Sequence, residues 1–294
     1  MKIRHIHPLA SILSHECSPN LKKYYTGISQ GSNLQCKAAI DIKCGQKLTV
    51  SYIDLLLPTM IRQKILREVS NAWYRTNQIF FLILWFFKEY FFECKCSRCE
   101  DSSDLNTDGN TLLCQKCSNR YEACLKKCRM LLGPPNIWIA LSLYSVKPSE
   151  WKYDKSDWKC HECLATITTS KALTVNLNAY NDALELFDNP KNWSVECYEN
   201  YLKKYGKILH PNHALNIGIK YRLAGFYGKH KGYTLAEAKR SGNRNHIDRK
   251  LELLKECVQV IDRLEPGLSS FKGTNFFTKI CHLRYTFFIK SQHS

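Results

Sequence analysis

Phe91-Phe92-Glu93-Cys94-Lys95-Cys96-Ser97-Arg98-Cys99 is the stretch on which the fold turns. Three cysteines at C-x-C-x-x-C spacing cannot all pair with one another as disulfides without strain. Their short connections do let three thiolates face one centre, as three corners of a tetrahedral zinc site. The fourth ligand has to come from elsewhere, and the best candidate is Cys17, inside Ser14-His15-Glu16-Cys17-Ser18-Pro19-Asn20. An ion shared by Cys17 and the triplet would tie the start of the chain to a segment far along it.

Working outward, the composition suits a globular protein. The chain has 294 residues, 44% hydrophobic and 12% aromatic, enough to bury the cores of two domains. Fifteen cysteines are present, and the opening Met1-Lys2-Ile3-Arg4-His5-Ile6-His7-Pro8 has no apolar core of the secretory kind. Reduced thiols holding metal in the cytoplasm and/or nucleus are the reading that follows. The net charge of +17 favours acidic partners at long range. Its Lys and Arg are spread along the whole length, with no basic run interleaved with stacking aromatics, so direct nucleic-acid binding is not expected.

Along the chain, Leu34, Cys36, Ala38 and Ile40 alternate, as do Leu48, Val50 and Tyr52, and both runs read as strands connected through Gly45. Pro58 opens a predicted helix from Thr59 to Glu68 carrying Met60, Ile61, Ile65 and Leu66. Ile79 to Phe87 is an uncharged apolar run of nine residues, whereas a membrane span needs about 20. No membrane span is therefore expected.

These residues carry a resemblance. Ser14 to Asn20 is similar to the N-H-S-C-x-P-N signature of SET-domain lysine methyltransferases, and Gly45-Gln46-Lys47-Leu48-Thr49-Val50-Ser51-Tyr52 resembles their G-E-E-L-x-x-x-Y signature. The triplet of Cys94, Cys96 and Cys99 resembles the post-SET zinc site. The wider frame is similar to the SET-and-MYND (SMYD) group, in particular its arthropod SmydA members, over about three quarters of the chain. The resemblance implies a chromatin-regulator family that uses S-adenosylmethionine to methylate lysines of protein substrates. It implies that Tyr52 stands at the transfer point, that Ser14, His15, Tyr52 and Phe92 meet the cofactor, and that the zinc is structural.

Three departures accompany it. The family's SET domain opens with a Gly-x-Gly cofactor turn and an inserted MYND finger, which these residues do not include, so the chain is expected to be N-terminally truncated and catalytically incomplete. Ser14 replaces the family's asparagine. Residues 69–90 interrupt the step from helix to zinc site. Three readings of that insertion stand: a buried helix segment, an aggregation-prone strand, or translated intron, since Val69-Ser70 is what a splice donor would encode.

Beyond the triplet, Cys114-Gln115-Lys116-Cys117 and Cys160-His161-Glu162-Cys163 form two knuckles of a second zinc site. Cys124 and Cys128 compete as partners for the first knuckle, and the region from about Asn119 to Leu143 reads as loop or a second insertion. From Thr169 onward the pattern is helical. Leu177, Tyr180, Leu184 and Phe187 share one face. Val195, Tyr198, Leu202, Tyr205 and Leu209 share another. Further helices are expected over His213–Tyr227 and Asp248–Leu264, and successive helix pairs resemble a tetratricopeptide-like array.

The expected class is α+β. Residues 1–68 form the C-terminal half of a SET domain, 69–90 a hydrophobic insertion, 91–168 the post-SET and second cysteine region, and 169–294 a helical domain. Two functions follow: a SET-type protein-lysine methyltransferase, or a zinc-stabilised interaction module whose helical domain binds acidic protein partners.

Overall fold

A computed structural model of the chain describes residues 7–26, 33–67, 92–117, 145–148, 157–241 and 245–267. The insertion at 69–90, the region 119–143 and the pair Cys124 and Cys128 lie outside the described residues. The structure is mixed, with helices and three small sheets, and it divides into two compact units.

The first unit draws on Met1–Leu55, Glu185–Lys204 and Asn216–Ser294. Helix α1 (Pro8–Ser11) leads into β1 (Ser14–His15). Strands β2 (Leu21–Thr26) and β3 (Asn33–Ala38) form an antiparallel ribbon, with Leu21 opposite Ala38. The expected alternation in β3 is present as a strand but not as a buried face: Leu34 is half-buried while Cys36 and Ala38 are exposed. A two-stranded ribbon has only one neighbour per strand, which leaves most of both surfaces wet. Gly45, at φ +79°, makes the turn toward β4 (Thr49–Val50). Strand β4 pairs parallel with β1, Ser14 against Thr49 and His15 against Val50.

Helices α5 (Val195–Tyr205), α6 (Ala214–Phe226), α7 (Leu235–Ser241) and α8 (Asn245–Leu264) supply the rest of this unit's core. Apolar recurrence places Ile247, Leu254, Cys257, Ile261 and Leu264 along the buried stripe of α8. The Tyr198 ring packs edge-on against Phe226, with centroids 5.0 Å apart. Arg249 of α8 binds Glu199 of α5 at 3.0 Å, and Lys220 of α6 binds Glu256 of α8 at 2.6 Å.

The second unit comprises Leu56–Leu184 and Tyr205–Leu215. Helix α2 (Thr59–Arg67) starts where Pro58 accepts the Arg62 N–H, and it buries Thr59, Met60, Ile61, Arg62, Gln63 and Leu66. A short helix α3 (Ser97–Glu100) holds the end of the cysteine triplet. Strands β5 (Leu112–Leu113), β6 (Ser145–Pro148), β7 (Trp158–Cys160) and β8 (Thr166–Ile167) form an antiparallel sheet in that order. Strand β5 also engages the segment before α6: Leu113 N–H donates to Ile208, His210 N–H to Thr111 and Ala214 N–H to Gly109.

Helix α4 (Thr169–Asp188) is longest in this part of the chain, and its buried stripe only partly coincides with the expected face. Tyr180 of the expected face is buried together with Ala172, Asn176, Ala179, Ala183 and Leu186, whereas Leu177, Leu184 and Phe187 are only half-buried. Small alanines permit close approach, which apolarity alone does not signal. Leu209, expected on α5, lies beyond its end in a bridge to Leu112. No helix among the described residues is long and apolar enough to cross a membrane.

Candidate metal centres and a paired-strand site

The two SET-like signatures meet in the first unit. The β1–β4 ladder is extended by the Glu16 N–H, which donates to the Val50 carbonyl at 3.1 Å. Asn20 then ties the following turn to the segment entering β4. Its Nδ2 donates to the Lys47 carbonyl at 2.8 Å, and its Oδ1 accepts the Thr49 N–H at 2.9 Å. Asn20 and Thr49 are buried, so these bonds satisfy polar groups that water cannot reach.

His15 and Tyr52 sit at the end of this ladder. Tyr52 lies beyond the strand, in the bend after Val50, because the ladder ends there. Its N–H donates to His15 Nδ1 at 3.1 Å, and the two rings are tilted at 45° with centroids 5.2 Å apart. Tyr52 Oη donates to the Leu13 carbonyl. With Nδ1 accepting, the neutral His15 ring carries its proton on Nε2, and that atom lies 3.3 Å from Cys17 Sγ. Such an N–H facing sulfur favours the thiolate a metal needs. Ser14, His15 and Tyr52 are all half-buried.

The sulfurs of Cys17, Cys94, Cys96 and Cys99 all lie within 4.8 Å of one another, as do those of Cys114, Cys117, Cys160 and Cys163. Each group can hold a metal ion. In the second group Cys114 and Cys163 are 3.6 Å apart and Cys117 and Cys160 are 3.9 Å apart. A zinc–sulfur bond of about 2.3 Å gives a tetrahedron with edges of about 3.8 Å, so the sulfurs fit that ion. Burial pushes the Cys114 and Cys117 thiols up from their ordinary range. A divalent cation supplies the charge that makes buried thiols into ligands. Cys163 moves the other way, to about 7, chiefly because the Ala165 N–H bonds its sulfur.

Neighbouring elements pre-shape both groups. Gln63 of α2 brackets the triplet: its Nε2 donates to the Cys94 carbonyl at 2.6 Å and its Oε1 accepts the Cys94 N–H at 3.3 Å. Phe92 is half-buried two residues earlier, its N–H donating to Leu66 at 2.9 Å. In the second group Cys117 N–H bonds Cys114, and Leu164 N–H bonds Cys160, closing the two knuckles.

Beside the triplet is a buried charge network that the sequence reading did not find. Asp104 accepts from Arg98 Nε at 2.9 Å and from Arg62 Nη2 at 3.0 Å, and all three side chains are fully buried. Burial alone would push Asp104 up; the guanidiniums of Arg98 and Arg62 reverse this and hold it well below the usual carboxylate range. His213 is buried as well, its Nε2 3.1 Å from Asn176 Oδ1. Burial, with His210 nearby, lowers it to about 3.

Set against known proteins, the chain is 24% identical to SET domain-containing protein SmydA-8, isoform B, of Drosophila melanogaster over 92% of its own length and 48% of that protein's. The chain is similar to SMYD proteins over part of their length. It is also 25% identical to human histone-lysine N-methyltransferase SMYD3 over 60% of its length and 30% of that protein's. N-lysine methyltransferase SMYD2-B of Danio rerio is 35% identical over 33% of the chain and 17% of its own length. The chain thus spans about half the length of its SmydA-8 relative and less of the others. No family model matches it. The paired strands β1 and β4 and the two thiol groups are the parts of this chain that bear on chemistry.

Proposed function

We propose that the chain is a SET-type protein-lysine methyltransferase-like protein using S-adenosylmethionine, with two structural zinc ions. The observation that carries this reading is the parallel pairing of β1 with β4. Two segments far apart in sequence, both resembling SET signatures, pair as β1 and β4 and bring His15 against Tyr52. The relatives named above include proteins called lysine methyltransferases.

Ser14, His15, Tyr52 and Phe92 are the residues that would hold the cofactor, which when bound supplies an electrophilic methyl group on a sulfonium. Tyr52 Oη would orient the substrate amine in line with that methyl, and the half-buried setting favours the neutral, nucleophilic lysine over its charged form. Cys17, Cys94, Cys96 and Cys99 would hold one zinc, and Cys114, Cys117, Cys160 and Cys163 the other. Four thiolates leave no open position, so both ions act as struts rather than Lewis acids. Reduced thiols suit the cytoplasm or nucleus, and the substrate is a protein. Acidic protein partners of the helical region fit the +17 charge. The 294 residues contain no Gly-x-Gly turn, so on their own they hold the cofactor weakly and are catalytically incomplete.

Calorimetric titration of the zinc-loaded chain with S-adenosylmethionine tests this. Weak binding, lost in Tyr52→Phe and His15→Ala with the zinc content unchanged, is expected. No heat at millimolar ligand overturns the methyltransferase reading and leaves a zinc-stabilised interaction module.

A further inference from the structure

We propose that Cys163 is a site of reversible oxidation by peroxide-class oxidants, whose disulfide with Cys114 unloads the second metal centre. The proposal rests on the zinc reading of that centre. Of the eight thiols in the two groups, Cys17, Cys94, Cys99, Cys114, Cys117 and Cys160 are buried and Cys96 is half-buried; Cys163 alone is exposed. It is exposed together with its whole turn, His161, Glu162 and Leu164 included, Leu164 to 73%. A small oxidant reaches this sulfur with no element moving. The other group presents no such ligand, so the two centres differ in the one property that governs attack at sulfur.

The resolving partner is already in place. Cys114 Sγ lies 3.6 Å from Cys163 Sγ, and the two knuckles extend from β5 and β7 of one small sheet. Cys36 and Cys44 are exposed too, but they belong to neither thiol group.

The chemistry balances as follows. The Cys163 thiolate attacks one oxygen of hydrogen peroxide, the O–O bond breaks, and hydroxide leaves to be protonated to water, giving a sulfenic acid. The Cys114 thiolate then attacks that sulfur, forming the S–S bond and expelling the second oxygen as hydroxide. Two thiolates have lost two electrons, peroxide has gained them, and with protons from solvent both oxygens end as water. Zinc loses two of its four anionic ligands, keeps only Cys117 and Cys160, and dissociates. A dithiol reductant reverses the bond and zinc rebinds.

The zinc-loaded full chain is treated with about one equivalent of hydrogen peroxide while a chromogenic chelator reads released zinc. Peptide mass mapping then locates any disulfide. Two zinc ions are expected at the outset, one released, a disulfide between Cys114 and Cys163, and recovery with dithiothreitol plus zinc. Cys163→His keeps a ligand that peroxide does not oxidise, and it should hold two ions and release neither at that dose. Fewer than two ions before oxidation overturns the zinc reading itself. With two ions present, retention of both, equal loss from both centres, or a disulfide mapped elsewhere overturns the proposal alone. Wild-type mapping decides the matter even where Cys163→His fails to fold.

Discussion

Asp104 shows how much one side chain can hold. It accepts from two buried arginines, and Thr59 and Thr107 crowd the same carboxylate. The backbone there is left-handed, φ 55°, a conformation asparagine tolerates as well as aspartate. Asp104→Asn therefore isolates charge: two guanidiniums would face each other in the core without an anion. A loss of about 3–5 kcal/mol is expected, read as a lower midpoint in urea denaturation. None of this was legible in Asp101-Ser102-Ser103-Asp104-Leu105-Asn106-Thr107-Asp108, which looks like a solvated loop. Local spacing carries no information about Arg62 and Arg98 arriving from outside it. Cys17 was legible for the opposite reason: three corners of a tetrahedron demand a fourth, and Cys17 stands inside the local motif Ser14 to Asn20. The His15 proton facing that sulfur was not.

At the level of elements, helices read well where periodicity and breakers agree. Helix α2 runs Thr59–Arg67 against an expectation of Thr59 to Glu68, and α8 begins three residues before its expected start. The ribbon strand β2, with Lys22 and Lys23 in it, gave no apolar alternation to find. Strands β6 to β8 were missed because each is short and is held by its neighbours and the knuckles rather than by its own pattern. The second knuckle contains one strained residue. Leu164 sits at φ 55° and is 73% exposed. Left-handed backbone costs a branched residue about 1–2 kcal/mol, partly offset by glycine's greater chain entropy. Leu164→Gly should thus stabilise the zinc-loaded chain by about 0.5–1 kcal/mol, seen as a raised thermal midpoint with unchanged zinc content.

For the molecule as a whole, stability should be linked to metal. Two thiol groups that each fit an ion make binding free energy part of folding free energy. The thermal midpoint is expected to rise with free zinc, by about 3 °C or more per tenfold, and to fall on chelation. A midpoint indifferent to chelator would contradict that linkage. The sheet that carries the second group has a further consequence for how the chain is made. Its ligands are complete once Cys163 has left the ribosome, while the segment that β5 receives, around Ile208 and Leu209, is still to be synthesised. A nascent chain that has captured its ion offers a finished edge onto which the later residues dock as they emerge. Translation under zinc starvation would deprive the incoming helices of that template.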